Sequence, residues 1–188
     1  MIIMAMNYQT SEPIILGSGE LYIGLASEIA DLSNLTTQEE EALVNIGAIE
    51  SGASIKIKTE KKEVKAANRG LIRKFVVDKE VTFSTGIMTW VMKNVAKYLL
   101  GSTFTKDETT GKEKFVLNIK DDAPIIYLRF VHKKKTGGSL TVNIYKAQFD
   151  GDLSFTFDDE KPLTVDYEFV ALADDSGNYV EFIETFTD

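Results

Sequence analysis

Over most of its length this chain alternates apolar and polar residues with a period of two, a pattern that selects strands burying one face. Ile55 and Ile57 alternate with Lys56 and Lys58, and residues 71–77 and 81–84 are β-rich runs on either side of Asp78-Lys79-Glu80. Residues 125–132 and 140–149 flank Lys133-Lys134-Lys135-Thr136-Gly137-Gly138, which predicts a hairpin closed by a glycine-containing loop. Leu153, Phe155 and Phe157 alternate with polar residues, as do Leu163, Val165, Tyr167 and Phe169. The turn-forming Asp174-Asp175-Ser176-Gly177-Asn178 then precedes a last strand over 179–183, and residues 14–24 are a further strand candidate.

One segment departs from this rhythm. Ile87, Trp90, Val91, Val95, Tyr98 and Leu99 recur at three- and four-residue steps, which predicts an amphipathic helix over about 87–100 with Gly101 as its C′ residue. Near Thr36 and Thr37, Glu39 and Glu40 have capping-box spacing, but the apolar stripe there is thin, and a short helix and a loop stay equally open. The fold class is therefore mainly β (α+β): two packed antiparallel sheets, as a sandwich or barrel, with one flanking helix.

At 188 residues the chain suits a single domain with a core of its own. We expect an N-terminal arm over 1–12 and one β domain over 13–188. The apolar start Met1-Ile2-Ile3-Met4-Ala5-Met6 lacks a basic flank and a full apolar h-region, so it is expected to be a mobile or partner-docking arm and not a signal peptide. No apolar run approaches the roughly 18 residues of a membrane-spanning helix. There is no cysteine, which removes disulfides, thiol nucleophiles and Cys-ligated metals.

Charge is distributed unevenly. The chain carries 21 Lys+Arg and 29 Asp+Glu, a net charge of −8. Between Lys56 and Lys79 nine bases meet three acids, a net +6, whereas from Ala147 to Asp188 twelve acids meet Lys161 alone, a net −11. Two opposite surfaces suit head-to-tail contact between copies, and equally suit two solvated faces.

Recognisable chemistry is scarce. One histidine, His132, cannot build a triad or a His-rich zinc site, and its expected role is structural or at the surface. Gly17-Ser18-Gly19 lacks the third glycine of a dinucleotide loop, because position 22 is Tyr22, and the sequence after it reads as a strand. Asp158-Asp159-Glu160 and Asp174-Asp175 lack the ligand spacing of a calcium loop and read as turns. No catalytic constellation, metal site or cofactor site is expected, which shifts weight toward a structural or interaction protein.

Three stretches carry a resemblance. Pro13-Ile14-Ile15-Leu16-Gly17-Ser18-Gly19-Glu20-Leu21-Tyr22-Ile23-Gly24, Ile46-Gly47-Ala48-Ile49-Glu50-Ser51-Gly52-Ala53-Ser54-Ile55-Lys56-Ile57 and Glu80-Val81-Thr82-Phe83-Ser84-Thr85-Gly86-Ile87-Met88-Thr89-Trp90 resemble, in that order, the opening, a strand and the strand-to-helix junction of phage tail tube (major tail) proteins of viruses of Gram-positive bacteria. The resemblance implies a two-sheet subunit with a flanking helix that joins five others in a hexameric ring. Rings stack into a virion tail tube whose acidic lumen lets DNA pass during ejection without binding it. Implied partners are the subunit itself and other tail proteins such as sheath, tape measure or tail terminator, with no membrane, no cofactor and no enzymatic activity.

In that family the loop between two early strands reaches a neighbouring ring. Its counterpart is the polar stretch 59–70, expected to be a poorly ordered loop in the free subunit. Lys61, Lys62, Lys65, Arg69, Arg73 and Lys74 are the candidate contacts between subunits or rings, and Glu50 is the candidate acidic residue of the lumen. Residues 101–114 are a polar insert expected to be a surface loop facing a sheath or the outside. Two alternatives remain: a ring-forming hub or terminator, or a type VI secretion or bacteriocin tube protein, on the same fold; and a monomeric β-barrel that binds a small ligand in a closed apolar pocket.

Overall fold

The computed structural model describes residues 19–46, 49–68, 70–87, 91–134, 137–154 and 165–186. The expected arm over 1–12, the first turn of the expected helix at 88–90, Arg69, the strand run beyond Ser154 and the Asp158–Glu160 cluster lie outside them, as does the side chain of Glu50. The chain runs β1 (Glu20–Leu25), α1 (Thr37–Ala42), β2 (Val44–Asn45), β3 (Ile49–Ala66), β4 (Gly70–Ile87), α2 (Met92–Asn94), β5 (Phe104–Asp107), β6 (Lys112–Phe115), β7 (Ile126–Lys133), β8 (Ser139–Phe149), β9 (Val165–Leu172) and β10 (Val180–Thr185). The fold is mainly β, with every strand pair antiparallel.

Eight strands form one sheet in the order β2-β1-β7-β8-β9-β4-β3, with β10 branching from β8; β5 and β6 make a separate hairpin. The branch follows from how β8 is shared. Along one edge it pairs β7, and along the other it pairs β9 through Lys146–Phe149 and then β10 through Ser139–Ile144. The sheet curls on itself. Phe83 of β4 and Phe130 of β7 are separated by two strands in sheet order, yet their ring centroids lie 5.8 Å apart. Phe83 also meets its registered neighbour Phe169 at 6.5 Å. Around these rings the inward residues of alternating strands, Leu21, Ile23, Leu128, Ile144 and Tyr167, form one buried cluster. Period-2 patterning thus places its apolar set as the sequence implies.

The helix near residue 90 is shorter than expected. Ile87 does not open it; paired with Ile49 and Val165, it is the buried last residue of β4. The helical turn of α2 starts at Met92 and widens into a π-helical turn over Val95–Leu99, where the Leu100 amide donates to the Val95 carbonyl at 3.1 Å. Widening lets Val95, Ala96, Tyr98 and Leu99 all face the core. Gly101 ends the helix at φ 62°, where a Cβ would come within 2.2 Å of the Asp122 carbonyl oxygen.

At Thr36 the structure settles the open choice in favour of a helix. Thr36 caps α1 by accepting from the Glu39 amide, and the Glu39 carboxylate accepts from the Thr36 and Ala30 amides at 2.8 and 2.7 Å. An outward polar network holds α1 on the sheet. Arg129 donates to Glu40 at 2.7 Å and to Asn143 at 3.0 Å, and Asn143 donates to Glu181 on β10 at 3.0 Å. His132 is buried in β7, consistent with a structural role.

Two expected loops are in fact strands. Thr59–Ala66, within the stretch expected to be a disordered polar loop, continues β3 and pairs with β4 as far as Ala66↔Gly70. The insert at 101–114 holds β5 and most of β6, joined by a turn in which Asp107 accepts from the Thr109 and Thr110 amides. In both cases cross-strand partners supply what a hydrophobicity pattern read along one strand does not reveal.

Core and extension should separate in a denaturation experiment. Phe83→Ala is expected to cost about 3–5 kcal/mol through the cavity it leaves. Phe75→Ala, on the exposed part of β4, should change the stability of the isolated chain by less than about 0.5 kcal/mol. Urea titrations of the two variants check this.

Candidate assembly surface

β3 and β4 are 18 residues each, far longer than the other strands. Only the base of this hairpin belongs to the core. Val81 is buried, but every described position from Gly70 to Glu80 is exposed. Beyond the point where β4 pairs β9 (Thr82–Ile87), the hairpin leaves the sheet as an arm.

The arm is held by its own cross-strand chemistry. Glu63, registered opposite Lys74, pairs with it at 2.7 Å and with Lys65 on its own strand at 2.9 Å; Lys58 pairs with the opposite Glu80 at 3.1 Å. Hydrogen bonds from Lys74 and then Lys65 hold the Glu63 carboxyl below the usual range. On the other face of the ribbon, the Arg73 guanidinium lies 4.6 Å from the Phe75 ring centroid. The register slips twice, leaving Val77 and Ile72 as extra residues on β4, and such bulges sharpen the twist of a ribbon.

Lys61, Lys62, Lys65, Arg73 and Lys74 therefore all sit on the arm and in solvent, whereas Arg69 lies outside the described residues. They do not act alike. Lys65 and Lys74 share the single Glu63 carboxylate and Arg73 stacks on Phe75, whereas Lys61 and Lys62 have no ion-pair partner among the described residues. Glu50 is in β3, and its side chain lies outside the described residues.

Apolar side chains, missed by the charge-based reading, share the arm with these bases. Val64, Leu71, Ile72, Phe75, Val76 and Val77 are between 43% and 60% exposed. The signal was in the sequence: Leu71-Ile72-Arg73-Lys74-Phe75-Val76-Val77 groups its apolar residues instead of alternating them, so a strand carrying them must be apolar on both faces. Contiguous exposed apolar surface of this kind marks an interaction site.

The C-terminal region presents the opposite charge. From Val165 to Phe186 there are six carboxylates and no Lys or Arg. β10 gives one edge to β8, and its other edge has no strand partner among the described residues. Phe182 and Phe186 are 51% and 68% exposed. The strand is anchored from below by Lys134, whose buried ammonium pairs with Glu184 and lies 4.2 Å from the Phe186 ring centroid. In the turn before it the Asp174 carboxylate accepts from the Asn178 and Ser176 amides, the former contact holding its pKa below the usual range.

Among the described residues no group of three or more His, Asp or Glu is placed to hold a metal ion, and no helix is long and apolar enough to cross a membrane. A void of about 10 Å³ is lined by Ile23, Ile46, Val91, Asn94, Leu99 and Tyr167. A groove of about 400 Å³ between β3, β4 and β9 is open to solvent and lined by Gly52, Ser84, Gly86, Asp152, Asp166 and Glu168.

No protein-family model matches the chain, and no curated protein does. Among solved structures, the chain is similar to the tube terminating cap of the anti-feeding prophage, seen by cryo-electron microscopy. The two are 10% identical, with 95% of this chain and 99% of that chain covered and a TM-score of 0.49.

Tyr167 ties the stability of this region to alkaline pH. Burial pushes its phenol up to about 12 from an ordinary 10. A raised folded-state pKa contributes stability that is fully present below pH 10 and is lost as pH rises toward 12. We expect stability to fall over that window, by on the order of 1 kcal/mol per pH unit from this one group. Tyr167→Phe should flatten the fall, as measured by denaturant midpoints across the window.

Proposed function

We propose that this chain is a non-enzymatic structural subunit of a phage-tail-like tube that joins copies of itself into rings and stacks them. The observation that carries this reading is the β3–β4 arm, an exposed ribbon with apolar residues on both faces and an outer edge along β3 that has no strand partner among the described residues. A monomer gains nothing from such a ribbon. An unpaired edge and an uncovered apolar surface are liabilities for a solitary protein and become contact area in an assembly.

Charge supports the same conclusion. A basic arm and an acidic C-terminal region on one subunit are two different, complementary surfaces, which is what a head-to-tail assembly requires. A net charge of −8 suits a conduit for a polyanion, because attractive phosphate contacts would hold nucleic acid in place. The resemblance of the three sequence stretches to tail tube proteins supplies the particular form: six-membered rings in a virion tail, around a channel for DNA.

Negative-stain electron microscopy with light scattering over a range of concentrations tests the reading. Hollow tubes or stacked rings are the expected result. Isolated rings that never stack would move the chain to a terminator-like or hub-like role. A monomer at every concentration, also after addition of preformed tail ends as nuclei, would overturn the proposal.

A further inference from the structure

The assembly reading leaves open where the arm of one subunit lands. The fold supplies a surface with matching properties. β10 has one edge without a strand partner among the described residues, exposed Phe182 and Ile183 with Phe186 just beyond them, and belongs to a stretch, 165–186, that carries carboxylates and no bases of its own, Lys134 and Lys146 reaching in to Glu184 and Asp175. The arm has an apolar run on β4 beside ammonium groups without carboxylate partners, and between Gly70 and Val81 the edge of β4 turned away from β3 is also unpaired among the described residues.

Within one chain these edges do not meet. β9 and β10 lie in succession along the same edge of β8, and β4 follows β9 through Thr82–Ile87. Past Thr82 it registers only with β3 and not with β10. Among the described residues the sheet thus leaves two edges without strand partners there, the β4 edge basic and apolar, the β10 edge apolar and bearing carboxylates. Both have backbone donors and acceptors that a partner strand can satisfy.

We infer that β10 is the receptor for the arm of a second copy of this chain, joined edge to edge with the arm strand β4. This rests on the assembly reading and adds to it the identity of the receiving strand. Leu71, Phe75 and Val76 lie against Phe182, Ile183 and Phe186. The ammonium groups of Lys61 and Lys62 face Glu181, which the neutral Asn143 holds without cancelling its charge, whereas Glu184 is already paired with Lys134. Arm and receptor are different surfaces, so each subunit gives one arm and accepts another, and the contact propagates instead of closing on a two-fold axis.

Because the chain has no cysteine, introduced thiols report without background. Val76→Cys and Ile183→Cys are made in separate, differently tagged chains, with Ile119→Cys, fully exposed on the surface, as the control. The two chains are mixed under conditions where assemblies form and are mildly oxidised. Thiols held side by side by the interface should form the Val76→Cys to Ile183→Cys disulfide on the order of tenfold faster than the Val76→Cys to Ile119→Cys one. Hydrogen exchange on the unmodified chain gives a second reading: amides of 71–77 and the outward-facing amides of β10 should gain protection together on assembly. Assemblies in which Val76→Cys reacts no faster with Ile183→Cys than with the control, or in which β10 gains no protection, overturn the receptor assignment and leave the assembly reading standing. Absence of any assembly or cross-link at all concentrations overturns both.

Discussion

A hairpin that leaves its core has to hold its own shape, and in this protein that demand falls on the ribbon beyond Val81. Up to that residue β4 is fixed by Phe83 packing on Phe130 and by pairing with β9. Past it, the described residues offer the ladder to β3 and four side-chain contacts: Lys58 with Glu80, Glu63 with Lys74 and with Lys65, and Arg73 over Phe75. Exposed ion pairs contribute little to stability, so the ribbon is sequence-encoded in shape but weak in isolation. Its exposed apolar groups are consistent with further support from another molecule.

The division of labour along β4 separates packing from exposed surface. The C-terminal half belongs to a dense aromatic core, with Phe149, Tyr167 and Phe169 in edge-on contact at 6.0–6.3 Å. Polar networks such as Glu40–Arg129–Asn143–Glu181 tie α1 and β10 to the sheet, and their members are spent on one another. The long arm and the outer edge of β10 are among the surfaces left without strand partners in the described residues.

Much of this was legible in the sequence. The hairpin of β7 and β8 follows directly from two alternating runs around Gly137 and Gly138, and β9 from Val165, Tyr167 and Phe169. The capping box at Thr36 and Glu39 was visible too, although the thin apolar stripe of α1 gave no reason to choose helix over loop. What could not be read along the chain was pairing. Thr59–Ala66 looks like a loop because its lysines leave it without a buried face; it is a strand because Lys74, Arg73 and Phe75 stand opposite. Ile87 fits the helical spacing as well as the strand, and only its position between Ile49 and Val165 assigns it to β4. The basic residues of the candidate site were found by composition, but the pairing of Lys65 and Lys74 with Glu63 and the exposed apolar run beside them needed the register.

The length of the arm has a mechanical consequence. At about 3.3 Å per residue, the stretch from Val81 to Gly70 extends roughly 35 Å from the core. Anything gripping its tip is coupled to the body through a two-stranded ribbon twisted at two bulges, not through packed aromatic rings. Such a link works as a leaf spring. A small tilt between neighbouring bodies is taken up as bending of the ribbon while the core keeps its packing, so a filament of these subunits would flex without any one of them having to unfold.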